Sequence, residues 1–348
     1  MALVKNSGQT RQTLATLYRP VAFNDVTEQS EVITILKNQL ETNTVKHVYL
    51  FTGGAGTGKT TLGRIFAKEI NHGHGNPIEI DAASHNSVDN IRELSQQAKT
   101  QSLDSEYKIF ILDEVHALSN NAWQAMLKLI EEPPSKSIFI MCTTDPQRIP
   151  KTILSRCQRY DFKRISQQGI VHRLQYILAN ENIVVDQDNI DAVEFIAKMA
   201  SGGMRDAITM LDKCLSYSTE LTLENVVKVL GVVDYDKMFD ITDAILDGNV
   251  KMVLDIINDV YMSGKDMKQF AKNYLDFILD VCKYGLAKSF SYIKIPNYYE
   301  QTLKGYSDVH INRCVQLLDT LVKLDSEIKW NTTPKELVES TLVLEAVK

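Results

Sequence analysis

At 348 residues, with 44% hydrophobic and 24% charged residues, the chain has an ordinary globular composition and length for two or three cores. A net charge of −6 excludes a polybasic nucleic-acid binder, so any grip on DNA must come from a local basic face or from helix N-termini. No apolar run is long enough to cross a bilayer, Met1 to Thr16 lacks the build of a signal peptide, and five scattered cysteines without a Cys-x-x-Cys pair indicate neither a disulfide framework nor structural zinc, which fits a reducing cytoplasm.

Residues 1–12 read as a loose leader. Tyr18-Arg19-Pro20 follows, either packing against a nucleotide base or tucked beside the core. Glu31 to Leu40 is amphipathic, with Ile33, Leu36 and Leu40 on one side. Val48-Tyr49-Leu50-Phe51 reads as a buried strand and leads into Gly53-Gly54-Ala55-Gly56-Thr57-Gly58-Lys59-Thr60. Leu62, Ile65, Phe66 and Ile70 then recur at helical spacing. Strand, glycine loop and helix form the context in which this motif cradles phosphate. Glycines let successive N–H groups turn inward, and the helix N-terminus faces the same anion. Gly53, Gly56, Thr57, Gly58, Lys59, Thr60 and Thr61 are the nucleotide-binding set. Lys59 reaches the outer phosphates, and the Thr60 hydroxyl ligates magnesium.

Further on the chain alternates. Ile78-Glu79-Ile80 is a short strand, Ser87 to Lys99 a helix capped by Ser87, and Ile109 to Leu112 a continuous apolar strand. A helix from about Asn120 to Ile130, a strand Ile138 to Cys142 and a short strand Tyr160 to Phe162 complete a parallel α/β sheet covered on both faces. After Arg164 the pattern turns helical: six of eight prolines lie in the first 150 residues and none between Lys151 and Ile295. Periodic sets are Val193, Ile196, Ala197 and Ala200; Met252, Ile256 and Val260; and Phe270, Tyr274, Phe277, Ile278 and Val281. Asp234-Tyr235-Asp236 reads as a joint, Ser289 to Ser307 as a long loop, and Lys335 to Val347 as the last helix.

Asp113 and Glu114 end the strongest apolar strand. Asp113 is expected on the metal side, and Glu114 as the base that activates the attacking water. His116 reads as structural. Thr144 ends the next strand, where a hydroxyl meets the terminal phosphate or the water. A phosphoryl-transfer site also needs positive charge on the terminal phosphate, from Arg156, Arg205 or a neighbour. The residues alone do not divide those roles, and either arginine is open to a surface pairing with Asp161 or Asp206.

Tyr18-Arg19-Pro20, the glycine loop, Asp81-Ala82-Ala83-Ser84, Leu112 to His116, Glu131-Glu132-Pro133-Pro134, Ile153 to Arg159 and Gly203 to Ala207 stand in one order. In that order the chain resembles the gamma/tau subunits of bacterial DNA polymerase III, motor subunits of sliding-clamp loaders among the AAA+ ATPases. The resemblance is dense from Leu17 to Leu215 and thinner beyond. It implies a P-loop AAA+ ATPase domain over residues 1–164, a helical lid over 165–229 and an all-helical collar over 230–348. It implies ATP and Mg2+ as ligands and Tyr18, Arg19 and Pro20 in the adenine pocket. Arg156 becomes a finger acting in trans, Arg205 the lid sensor and Thr144 the strand sensor. The implied partners are other loader subunits in a pentamer with several copies of this chain, a sliding clamp and primer–template DNA, with no membrane. DNA contact would fall on Arg92, Lys99, Thr100, Ser119 and Asn120, through the backbone and without sequence preference. The family's four-cysteine zinc module is replaced by Asn71-His72-Gly73-His74-Gly75-Asn76, so zinc is not expected. A divergent branch, viral or cellular, or an engineered deletion would account for that. The chain also stops where the tau form continues, so tethering to polymerase and helicase is not expected. The expected location is the cytoplasm at the nucleoid, of a host cell if the source is viral.

Overall fold

The computed structural model describes residues 12–183, 186–218, 220–230, 235–296 and 299–348. All but Gln12 of the expected leader, and residues 231–234 of the expected joint, lie outside these. The chain forms two compact units that divide between Thr219 and Glu220.

In the first unit the order is α1 (Leu14–Leu17), α2 (Ser30–Glu41), β1 (Val48–Gly53), α3 (Lys59–Ile70), β2 (Ile78–Asp81), α4 (Val88–Lys99), β3 (Lys108–Asp113), α5 (Asn120–Glu131), β4 (Ser137–Thr143), α6 (Lys151–Leu154) and β5 (Gln158–Phe162), followed by α7 (Gln167–Asn180), α8 (Gln187–Met199) and α9 (Met204–Tyr217). The strands form one sheet in the order β2-β3-β4-β1-β5, with every pairing parallel. The apolar runs are continuous because side chains alternate between two buried faces. Leu50, Phe110, Leu112, Phe139 and Met141 pack under α4 and α5, whereas Tyr49, Phe51, Ile111, Ile140 and Phe162 pack under α2 and α3. Each fully buried large apolar side chain contributes about 1.5–3 kcal/mol.

In α2 the innermost residues are Val32 and Leu36, while Ile33 and Leu40 are partly buried at the rim of the same core. Ser87 caps α4 reciprocally with Asn90, as S-x-x-N chemistry allows. Asn71 pins the short turn after α3: its side chain both donates to Tyr107 O and accepts from Tyr107 N–H, each at 2.9 Å.

The second unit is helical: α10 (Leu223–Leu230), α11 (Tyr235–Leu246), α12 (Val250–Met262), α13 (Met267–Ala287), α14 (Glu300–Gly305), α15 (Ile311–Ile328) and α16 (Pro334–Val347). Two expectations are corrected here. The buried stripe of α12 is Val253, Ile257 and Val260, and Met252 is exposed. A period of 3.6 admits neighbouring stripes, and only packing selects one. The Ser289–Ser307 segment is not one long loop. It contains a 3₁₀ turn at Phe290–Tyr292 and α14, and a π-helical stretch, Tyr306–His310, runs into α15. Tyr306 stacks on Phe239, and the Leu303 side chain is fully buried, so tertiary packing overrides the helix-breaking Gly305.

Candidate functional site

Parallel strands deliver their C-terminal ends to one side of the sheet, where ligands of such folds bind. β1 ends in the glycine loop, β3 in Asp113 and β4 in Thr143, with Thr52 and Thr143 in register. Gly56 has φ +69, and a Cβ there would stand 3.1 Å from Gly203 Cα, so the loop passes directly under the start of α9. Met204 N–H donates to Gly56 O at 3.0 Å. The N-termini of α3 and α9 therefore converge on one cleft.

That cleft, of about 310 Å³, is lined by Tyr18, Arg19, Pro20, Gly56, Thr57, Gly58, Lys59, Thr60, Thr61, Asp113, Glu114, Arg173 and Arg205 among others. The volume lies at the small end of ligand sites, about 300–1,000 Å³. Lys59 Nζ donates to Gly53 O at 2.9 Å and Gly54 O at 2.7 Å. Burial pulls the Lys59 ammonium below its usual range, against Cys142, Glu114 and Asp113. Arg19 is likewise lowered, by burial first and then by Arg64, with Arg205 adding to it while Glu79 and Asp113 oppose. A cation held at a cost in a polar cleft gains from pairing with an anion there.

Thr60 Oγ1 donates to Asp113 Oδ2 at 2.8 Å, which brings together two hard oxygens of the kind magnesium takes. The donor set fits that ion. Glu114 stands at φ 48, a left-handed position uncommon for a residue with a Cβ, and opens a 3₁₀ turn over Val115–Ala117. Thr144 Oγ1 donates to Glu114 Oε2 at 2.9 Å, so Thr144 reaches the cleft by way of the carboxylate.

Segment 14–20 is fastened to the helices that follow the sheet. Leu14 N–H donates to Asp212 Oδ2 at 3.1 Å, Tyr18 hydroxyl to Glu181 at 2.8 Å, and Arg173 to Tyr18 O at 2.7 Å. The Tyr18 ring also meets Tyr176 edge-on at 6.5 Å. Arg173 is a cleft residue that no local motif announces.

Other expected residues lie apart. Arg156 does not line the cleft of its own chain. It pairs with Glu131 at 2.8 Å and donates to Thr152 O at 2.8 Å, so the pairing with Asp161 considered from sequence is replaced. Asp161 instead meets Arg159 and Thr52. Burial pushes the neighbouring Cys157 thiol up to about 12. Arg92 is exposed and pairs with Asp89, near the capped starts of α4 and α5, which Ser119 N–H joins through Asn86 O at 3.2 Å. Ser119 caps α5 and Asn120 opens it. Lys99 and Thr100 stand at the other end of α4, roughly 10 Å from Arg92 at 1.5 Å per residue. There Lys108 holds the Thr100 hydroxyl at 2.8 Å.

Residues 76–166 match the profile of the DNA polymerase III delta subunit, 169–220 that of the ATPase lid domain of DNA polymerase III clamp-loader subunits, and 221–343 that of domain III of subunits gamma and tau. The chain is 35% identical to DNA polymerase III subunit tau of Bacillus subtilis over 95% of its own length and 62% of that protein's. It is 30% identical to subunit gamma of Buchnera aphidicola, covering 95% of this chain and 98% of the relative. Against subunit tau of Escherichia coli it is 34% identical over 73% of this chain and 42% of the relative. The chain thus spans less than two thirds of the tau proteins it matches. Among solved structures, the Thermotoga maritima RuvB Holliday junction branch migration motor aligns with TM-score 0.52 at 16% identity, over 82% of this chain and 91% of that one, a likeness of fold alone.

Proposed function

From the premise that the chain belongs to the gamma/tau family of DNA polymerase III clamp-loader subunits, we propose that it is the ATP-hydrolysing motor subunit of a sliding-clamp loader. The observation that carries this is the convergence of Lys59, Thr60, Asp113, Glu114 and Arg205 on one cleft. A subunit that only filled a place in an assembly has no use for all five.

On this reading the loop N–H groups and the N-terminus of α3 take the phosphates of ATP. Lys59 leaves the Gly53 and Gly54 carbonyls for the outer phosphates, and Arg205 meets the same anion from α9. Thr60 and Asp113 hold Mg2+, which when bound neutralises charge on the phosphates. Glu114 accepts a proton from the water whose oxygen bonds to the γ-phosphorus. The bond from that phosphorus to the β–γ bridging oxygen breaks, leaving ADP and phosphate. Arg156 acts on ATP held by a neighbouring subunit. Its pair with Glu131 is 39% and 41% exposed, so it is worth no more than about 1 kcal/mol and is readily given up.

The second unit is the collar of a pentamer in this proposal. ATP binding opens the clamp and grips primer–template DNA, and hydrolysis releases the clamp on it, in the cytoplasm. The paired helix starts near Arg92, Ser119 and Asn120 are better placed for one stretch of DNA backbone than Lys99 and Thr100. ATP turnover measured with cognate clamp and primed DNA, singly and together, tests the proposal. Low basal turnover, stimulation by both and loss in Lys59→Ala are expected. Strand unwinding that needs no clamp would favour a branch-migration motor instead.

A further inference from the structure

We infer that His116 is a positioning residue for Glu114 in ATP hydrolysis, an inference that rests on the motor reading above. The 3₁₀ turn over Val115–Ala117 folds the chain back, so that His116 Nδ1 stands 3.2 Å from Glu114 Oε2. The same nitrogen lies 3.2 Å from Thr143 Oγ1, and that hydroxyl accepts from Asp145 N–H at 3.1 Å. Thr143 is fully buried at the end of β4 and cannot drift, so the sheet itself steadies the imidazole.

A carboxylate oxygen only accepts, so it is the tautomer with the proton on Nδ1 that supports Glu114 in this proposal. Glu114 Oε2 thus accepts from Thr144 and has His116 Nδ1 within 3.2 Å, so two different segments bear on it. Among the described residues none donates to Oε1, which is the oxygen left to take the proton of the water. Glu114 needs this support. Its side chain is 38% exposed and hangs from a left-handed backbone position at the edge of the cleft, where an untethered carboxylate would sample several rotamers. Small misplacement of a catalytic group is enough to cost about a hundredfold in rate.

The test compares side chains that differ in where they can offer an N–H. Asparagine carries its amide nitrogen at the reach of Nδ1, glutamine one bond further, and leucine offers none. In the full chain, with clamp and primed DNA, His116→Gln and His116→Leu are expected to lower kcat about tenfold or more. ATP KM and directly measured ATP affinity should stay within about twofold, and His116→Asn should keep kcat within about threefold, since a purely structural role would spare neither split. His116→Asn as impaired as His116→Gln, His116→Gln indistinguishable from wild type, or affinity falling in step with turnover would each overturn the inference while the motor reading stands. A wild-type chain that binds ATP and never turns it over would remove both.

Discussion

The two units handle carboxylates in opposite ways. In the first, Asp113 and Glu114 face a cleft, and their direct partners are hydroxyls, an imidazole and a backbone N–H. In the second, Asp280 and Glu345 are buried inside the chain's own charges. Asp280 accepts from Lys294 N–H at 2.6 Å and stands 3.3 Å from Lys283 Nζ. Glu345 accepts from Thr320 at 2.7 Å beside Lys348 and Arg313. A charge compensated at home holds elements together, whereas one left half-compensated beside buried cations is available to a ligand. Burial alone does not tell these cases apart; the identity of the partners does.

The largest test of this contrast is Arg156→Ala, whose partner on the proposal belongs to another subunit. Turnover of the assembled protein should fall about 10³-fold or more, with ATP affinity of the isolated chain nearly unchanged. A collapse of that affinity would put Arg156 in its own site. Next, Glu114→Gln should lower turnover about 10²- to 10⁴-fold and leave ATP binding intact. Calorimetric titration alongside the rate assay separates the two.

On the structural side the effects are on stability and carry a sign. Burial raises the Asp280 carboxyl above its usual range, with Lys294 and Lys283 opposing. Its contribution is therefore present below the unfolded-state value and lost as pH rises through the raised one. Burial also disfavours the Glu345 charge, yet Lys348, Thr320 and Arg313 outweigh it and hold that group low. Its contribution is present at neutral pH and lost as pH falls through its depressed value. Asp280→Asn should remove the first slope while keeping an acceptor for Lys294 N–H. Asp280→Ala should cost about 1–3 kcal/mol by stranding that N–H, read as a denaturation midpoint across about pH 4–7. The smallest effect is expected for Tyr18→Phe, which removes the hydroxyl bond to Glu181 and should shift stability or ATP affinity by no more than about 1 kcal/mol.

Much of the first unit was legible because its signals are local. Continuous apolar runs marked strands buried on both faces, Ser87 marked a helix start, and the glycine loop between strand and helix marked the anion site. Stripe choice in α12 and the short helices after Ser289 were not, because several helical faces carry enough apolar residues and the neighbours choose among them.

Residue order along the chain was sufficient for the sheet, the phosphate loop and the acidic strand tip, since hydrogen-bond ladders, glycine's freedom at positive φ and solvation act over a few residues. Which side chains finally share the cleft was set by packing across long separations. Arg173 closing on Tyr18, α9 starting over Gly56, His116 folding back to Glu114 and Arg156 turning to Glu131 all depend on surfaces that meet only when the sheet and its helices are assembled.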